Sequence, residues 1–161
     1  MGYLVMQNGE TYQLGESRPA IDCFRCGVCC VCNRPRVRDS EVSQIASKLG
    51  IAREVFLNRF VRAAAISDEL VLDDGGPHCP FLAWDKNSGQ AECTIYPFRP
   101  QACRSRQASL SRVECQEGLR QLKVNREIIL PQDIYPSQKQ IKTLYSALQD
   151  GKAKIPSRQS S

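Results

Sequence analysis

The sequence predicts an α+β fold, a small and mainly helical domain with a short β-hairpin and cysteine-bearing loops. Apolar residues recur at helical spacing in four segments, and two apolar runs flank a turn sequence. Nine cysteines are present, and five of them fall within residues 23–32. The 161 residues, 42% of them apolar, suffice for one ordinary domain with its own core. Cysteine cross-links are therefore not required for folding.

The first predicted helix follows an irregular or short-stranded segment, residues 1–20, and the cysteine cluster. Asp39 or Ser40 can cap this helix, and Gly50 ends it in the manner of a C′ glycine. Four apolar residues at i, i+3, i+4 and i+7 form its inward face: Val42, Ile45, Ala46 and Leu49.

A second helix is predicted over IAREVFLNRFVRAA, residues 51–64, with Phe56 and Phe60 turned inward. The segment ELVLD, residues 69–73, is typical of a short strand. The glycines and prolines of DGGPHCP, residues 74–80, then indicate a loop.

A β-hairpin is predicted where CPFLAWD and QAECTIY are separated by KNSG. Its two arms carry Cys79 and Cys93. The following FRPQACRSR favours a short helix that presents Cys103, with Pro100 in its first turn.

Two further helices are predicted in the last third of the chain. From Leu110 to about Val124, the residues Cys115, Leu119 and Leu122 share one face, so the thiol of Cys115 is expected on the core side. In SQKQIKTLYSALQDG, a serine caps the helix and a glycine ends it. The residues concerned are Ser137 and Gly151 at the ends and Ile141, Leu144, Tyr145 and Leu148 on the apolar face.

The predicted organisation along the chain has four parts. Residues 1–20 form an N-terminal leader, and residues 21–126 form the cysteine-rich domain. Residues 127–151 form a C-terminal helical extension, and residues 152–161 form a flexible tail.

Several functional classes are disfavoured by composition. The N-terminus lacks a secretory signal, and no apolar run reaches the roughly 20 residues of a membrane span. We therefore expect a cytoplasmic protein without a membrane partner, in a compartment where structural disulfides are rare. The odd number of cysteines and the adjacency of Cys29 and Cys30 also argue against a disulfide scaffold. Thiolate metal binding is the favoured interpretation.

Thiolate metal binding would also change the formal net charge of +5, which counts no thiolates. If eight cysteines bind two divalent ions as thiolates, the net charge falls by four, to about +1. Arginines that lie near the cysteines in sequence favour thiolates by lowering their pKa. Few aromatic residues accompany these arginines, so nucleic-acid binding is not expected.

The spacing C-x2-C-x2-C at Cys23, Cys26 and Cys29, with Cys30 adjoining, is typical of metal-binding turns. Both zinc and iron–sulfur clusters take four thiolates, and this spacing does not separate them. Four downstream cysteines complete a set of eight, enough for two four-thiolate sites or for one such site and a second group of redox or transient ligands. The predicted loops thus surround a metal centre.

Two residues near this set are expected to lie outside it. Cys32 is the ninth cysteine and is interpreted as a spare surface or core thiol. His78, the only histidine, adjoins Cys79, and its neighbourhood favours a supporting or solvent-facing position over metal ligation. A single histidine also argues against a histidine-based hydrolytic metal site.

The order of these motifs resembles the YkgJ family of small cysteine-cluster proteins, also called the CxxCxxCC domain. The matching elements are CxxCGxCC, an IAxxLG helix followed by EVF, CPFL, CxIYxFRPxxCR and a last cysteine, spanning residues 23–115. Arg99, Pro100 and Arg104 match the RPxxCR element of that family. Cys32 and the basic NRPRVR segment depart from the pattern.

The resemblance implies a domain that chelates zinc or iron, with a 4Fe-4S cluster as one form of the iron. It implies eight metal ligands: Cys23, Cys26, Cys29, Cys30, Cys79, Cys93, Cys103 and Cys115. It implies no catalytic residue. Metal ions are the expected partners, and a protein partner is a further candidate.

Three functions stay open at this point. The first is a metal-chelating protein whose sites stabilise the fold. The second is an iron–sulfur redox or catalytic accessory protein. The third is a zinc-ribbon-like module that binds protein or nucleic acid, for which NRPRVRD supplies positive charge.

Overall fold

A computed structural model describes residues 2–13, 20–122 and 128–153. Its contacts divide the chain into two compact units. The central unit is Gly27–Arg106, and the terminal unit combines Met1–Cys26 with Gln107–Ser161. The mixed α+β class is confirmed by the helices and small sheets of both units.

The central unit contains four helices and two β-hairpins. Its helices are α1 (Val28–Cys32), α2 (Asp39–Leu49), α3 (Arg53–Phe60) and α4 (Gln101–Arg104). Its strands are β3 (Val61–Ala63), β4 (Leu70–Leu72), β5 (Leu82–Trp84) and β6 (Ala91–Cys93), and a 3₁₀ turn spans Tyr96–Phe98. Both hairpins are antiparallel, β3 with β4 and β5 with β6.

The core of the central unit lies between α2, α3 and the two hairpins. The ring of Phe56 stacks on that of Phe81 with centroids 6.2 Å apart, and Val42, Ile45 and Leu72 are fully buried beside them. This core fixes the second hairpin, which carries Cys93, against the helices.

In its described residues, the terminal unit combines a three-stranded sheet with three helices. Its strands are β1 (Tyr3–Val5), β2 (Thr11–Gln13) and β7 (Ile128–Ile129), and its helices are α5 (Val113–Leu122), α6 (Pro131–Ile134) and α7 (Gln138–Ala153). Strand β1 lies in the middle, antiparallel to β2 and parallel to β7. Leu4, Leu119 and Leu144 are buried in its core.

Several sequence predictions are confirmed in detail. Helix α2 buries Val42, Ile45 and Ala46, and Gly50 follows it with φ of 69°. The predicted hairpin forms, with Leu82 opposite Cys93. Helix α7 begins after Ser137, whose Oγ accepts a hydrogen bond from the backbone N–H of Gln140 (3.2 Å).

Other predictions are wrong at the ends of elements. The helix predicted over residues 51–64 ends at Phe60, and Val61–Ala63 form β3 because their backbone pairs with β4. Helix α5 begins at Val113, three residues after buried Leu110. Leu49 and Leu122 are more exposed than their helical positions predicted.

The C-terminal boundary also differs from the prediction. Helix α7 passes Gly151 and ends at Ala153, since a glycine inside a helix costs only about 1 kcal/mol and does not forbid the helical backbone. The predicted tail, residues 152–161, lies outside the described residues from position 154 onward. No helix in the described ranges is long and apolar enough to span a bilayer.

Candidate metal centre

The predicted ligands divide between the two units. Cys29, Cys30, Cys79, Cys93 and Cys103 belong to the central unit, together with Cys32. Cys23, Cys26 and Cys115 belong to the terminal unit. The structure thus groups five predicted ligands in one unit and three in the other. None of the nine cysteines, all within the described residues, is in a disulfide.

The start of α1 is fixed by a glycine that packs against the second hairpin. Gly27 caps α1 with φ of 79°, a backbone conformation that favours glycine. A Cβ atom at this position would lie 2.5 Å from Cη2 of Trp84 and 2.9 Å from Cβ of Ala91. Only glycine therefore allows the helix that carries Cys29 and Cys30 to approach the hairpin so closely.

A backbone hydrogen bond links Cys30, a predicted ligand on α1, to the loop before β5. The N–H of Cys79 donates a hydrogen bond to the carbonyl oxygen of Cys30 at 3.0 Å. The Sγ atoms of Cys29 and Cys30 lie 4.0 Å apart. Cysteines 49 positions apart in sequence are thus held side by side by main-chain atoms.

Three of the cysteines share a local hydrogen-bond pattern. The backbone N–H two residues onward points at the sulfur, from Phe81 to Cys79 and from Ile95 to Cys93. In the terminal unit, the N–H of Arg25 lies 3.4 Å from Sγ of Cys23, and Arg25 has φ of 56°. Amide donors aimed at a sulfur stabilise its thiolate form, which is the form that binds metal.

Other thiols of the central unit act on the pKa of Cys30. Its pKa is raised well above the ordinary value by its hydrogen bond with Cys29, by burial and by the charge that Cys29 would carry. Cys79 and Cys93 raise it further by the same electrostatic repulsion. Several thiolates at this place are therefore unfavourable unless a cation accompanies them.

Cys103 belongs to the same group. Burial raises the pKa of its thiol to about 11, and the potential charges of Cys79 and Cys93 add to the increase. Burial also raises the pKa of Cys79 and of Cys93, while their amide donors act in the opposite direction. We call Cys30, Cys79, Cys93 and Cys103 the central thiol group.

Arginines supply positive charge around the central thiol group. Burial raises the pKa of Cys79, and the positive charge of Arg34 partly opposes this increase. The guanidinium of Arg34 is fixed by hydrogen bonds to the Gly76 carbonyl oxygen (2.9 Å) and to Asp73 (3.4 Å). Arg106 and Arg99 likewise oppose the increase that burial causes in the pKa of Cys103. These charges partly offset the repulsion between thiolates.

A buried carboxylate positions the helix that carries Cys103. One oxygen of Glu41 accepts the backbone N–H of Arg38 at 2.9 Å, before α2. The other accepts the N–H of Gln101 at 2.7 Å, the first residue of α4. Glu41 thus connects the beginnings of two helices, with its acceptor contact at Gln101 lying 60 residues further along the sequence. The apolar pattern predicted this residue only as part of a helix, and a glutamate at the third position of a capping box is the feature that could have identified it.

The terminal unit holds its three thiols near α5. Cys115 lies on this helix, three residues before Gly118, where an added Cβ atom would lie 2.7 Å from Cβ of Cys26. Burial, and then the nearby charges of Asp22, Cys23 and Cys115, raise the pKa of the Tyr135 hydroxyl. Cys26 and Cys115 pack against the terminal core, and Cys23 and Cys115 lie near enough to Tyr135 to act on its pKa.

Cys32 and His78, the two residues expected to lie outside the ligand set, have different surroundings. Cys32 is exposed at the end of α1. Nδ1 of His78 lies 2.9 Å from the carbonyl oxygen of Cys79, a hydrogen bond that fixes its ring beside a predicted ligand.

The donor set of the central thiol group fits a thiophilic metal. Four sulfurs, amide donors and arginine charges are what a four-thiolate zinc or iron site uses. Among the described residues, no three cysteine, histidine or acidic side chains lie close enough together to hold one metal ion. A metal ion at the central thiol group would therefore require side-chain movement that brings the sulfurs to bonding distance.

Comparison with known proteins agrees with this chemistry. Residues 22–140 match the CxxCxxCC family, described as "Putative zinc- or iron-chelating domain". The match covers most of the chain, and the protein belongs to this family, as its motifs predicted. Family membership supports metal binding in general.

One similar protein is an uncharacterized protein of Methanocaldococcus jannaschii. It is 36% identical over 93 residues, which are 56% of this chain and 46% of that protein. The chain thus spans about half the length of the curated relative it matches. No solved structure matches the chain.

Proposed function

We propose that this protein chelates zinc or iron through the central thiol group, Cys30, Cys79, Cys93 and Cys103. The hydrogen bond that holds Cys79 beside Cys30 within one unit is the observation that carries the proposal, and the charges of Cys79 and Cys93 act on both Cys30 and Cys103. Main-chain hydrogen bonds support it, because they fix Cys79 beside Cys30 and direct amides at Cys79 and Cys93.

Charge balance explains how such a site is stable. Four thiolates around a divalent ion carry a net charge of about −2. The metal removes the repulsion that keeps these thiols protonated, and Arg34, Arg99 and Arg106 offset the remaining charge. When bound, the ion supplies the cross-link that joins α1, the second hairpin and α4.

Three further cysteines, Cys23, Cys26 and Cys115, are proposed to serve a second ion within the terminal unit, to which they supply three thiolates. Cys29 lies beside the central thiol group, with its Sγ atom 4.0 Å from that of Cys30.

The proposed role is a structural one in the reducing cytoplasm, with metal handling as the cellular context. Thiolate zinc sites contribute about 10 kcal/mol or more to folding in zinc-finger peptides. Metal at the central thiol group is therefore expected to determine whether the central unit is stably folded.

The test is metal analysis of protein purified without oxygen, comparing wild type with Cys93→Ser and Cys32→Ser. We expect stoichiometric zinc or iron in wild type and in Cys32→Ser, and the loss of one equivalent in Cys93→Ser. Acid-labile sulfide and visible absorption distinguish an iron–sulfur cluster from a mononuclear ion. Equal metal content in all three proteins would reject the central thiol group as the site.

A further inference from the structure

Two cysteines of α1 belong to neither proposed group of metal ligands. Cys29 and Cys32 enclose Cys30 and Val31, so this helix carries a C-x-x-C sequence of its own. Both thiols are reduced in the structure. In a reducing compartment, such a pair indicates either metal binding or reversible thiol–disulfide exchange.

Helix geometry selects Cys29 and Cys32 as the pair that can form a disulfide. Cα atoms three positions apart in a helix are about 5 Å apart, within the range of about 4.4–6.8 Å that disulfides require, and the side chains share one face. The Sγ atoms of Cys29 and Cys30 lie 4.0 Å apart, but consecutive Cα atoms are only about 3.8 Å apart, so a bridge would strain the peptide bond between them. Cys30 and Cys32 are two positions apart and point to opposite sides of the helix.

The end of α1 allows the small shift that the bond needs. The backbone N–H and the side-chain amide of Asn33 donate hydrogen bonds to the carbonyl oxygen of Cys29 at 3.1 and 3.0 Å, which holds the turn from Cys29 to Cys32 closed. Asn33 itself is extended, so Cys32 is the last helical residue. Cβ atoms three positions apart start about 5–6 Å from each other and must approach to about 4 Å. No following helical turn opposes this movement of Cys32.

The two thiols differ in their access to solvent. Cys32 is exposed, whereas Cys29 is half-buried with its Sγ atom beside that of Cys30. An external disulfide therefore reaches Cys32 first, and Cys29 lies one turn away as the second thiol that completes the exchange.

We propose that Cys29 and Cys32 form a redox-active dithiol that exchanges with accessible small-molecule disulfides. The thiolate of Cys32 attacks one sulfur of the external disulfide, whose S–S bond breaks, and the other half leaves as a thiol after taking a proton. The thiolate of Cys29 then attacks the Cys32 sulfur and releases the second half as a thiol. The protein loses two electrons and two protons, which reduce one external disulfide to two thiols.

Oxidised glutathione is the probe for this reaction. Protein purified without oxygen is treated with it, the remaining thiols are alkylated, and peptide mass analysis locates those that escaped. Wild type is expected to lose the thiols of Cys29 and Cys32, to carry no bound glutathione and to keep its metal, because neither thiol belongs to the central thiol group. Cys29→Ser should retain glutathione on Cys32, since the second attack cannot occur. Cys32→Ser should lose no thiol.

The double variant Val31→Cys/Cys32→Ser is the matched control for spacing. Position 31 is 41% exposed, so a thiol there is accessible to glutathione. It lies two positions from Cys29, however, and points away from it. We expect glutathione to remain attached in this variant, as in Cys29→Ser.

Three results would overturn the dithiol. The first is wild-type protein that glutathione disulfide leaves unmodified. The second is a disulfide that maps to Cys30, or that forms equally well in the double variant. The third is release of metal in step with the loss of thiols, which would identify the oxidised cysteines as ligands. Absence of metal from untreated wild type would instead reject the proposed function, so the two failures are distinguishable.

Discussion

Replacement of Gly27 by alanine tests whether the approach of α1 to the second hairpin determines the metal site. The added Cβ atom would lie 2.5 Å from the Trp84 ring and 2.9 Å from Ala91, closer than real Cβ contacts. Overpacking of this kind costs about 1–3 kcal/mol. The positive φ of 79° adds about 1–2 kcal/mol for any residue with a Cβ atom. We therefore expect Gly27→Ala to destabilise the protein by roughly 2–5 kcal/mol.

Gly89→Ala is the matched control for this experiment. Gly89 has φ of 69° and lies in the turn of the same hairpin, but nothing lies within 4 Å of an added Cβ atom. The control thus carries the backbone strain without the packing clash. The difference between the two variants should be about 1–3 kcal/mol, or roughly 2–12 °C in Tm for a chain of this size.

Thermal unfolding of the metal-loaded and metal-free proteins measures this difference. Gly27→Ala should also bind zinc more weakly, because the clash displaces the helix that carries Cys30. Trp84→Leu in the Gly27→Ala background should recover part of the lost stability by removing the ring that clashes. Equal Tm values for Gly27→Ala and Gly89→Ala would refute the packing argument.

Three further predictions concern other contacts. Glu41→Ala leaves two backbone amides without a charged acceptor. It should lower the free energy of unfolding by about 3–5 kcal/mol in urea titrations, and Glu41→Gln should lower it less. An equal loss in both would contradict a role for the charge. Gly118→Ala should destabilise by about 1–3 kcal/mol despite its better helix propensity, because its Cβ atom meets Cys26; a gain in stability would show that this contact relaxes freely. Since burial raises the pKa of Cys103 to about 11 in the folded state, metal-free protein should keep this contribution to stability below pH 9 and lose it as pH rises toward 11. Zinc affinity should rise over the same pH range because binding displaces protons, and a pH-independent affinity would exclude protonated thiols as the ligands.

Local sequence patterns were sufficient for much of the fold. The apolar spacing of α2 and its terminal Gly50 depend on residues within one helix, and the KNSG turn depends on four residues between two strands. Family membership also followed from the motifs, because the order and spacing of cysteines is itself a property of the sequence. The end of α3 could not be predicted from local patterns, because Val61–Ala63 become a strand only through pairing with β4.

The sequence alone determined which residues can bind metal, since thiols at C-x2-C spacing and a cysteine-rich composition define the chemistry of the ligands. Only the tertiary structure decided which of these cysteines share a unit, that Glu41 connects two helices, and that Cys79 lies beside Cys30. The physical reason is the range of the interactions. Backbone conformation and helical spacing are set by neighbours in the chain, whereas burial, electrostatic coupling and hydrogen-bond satisfaction depend on residues that only folding brings together.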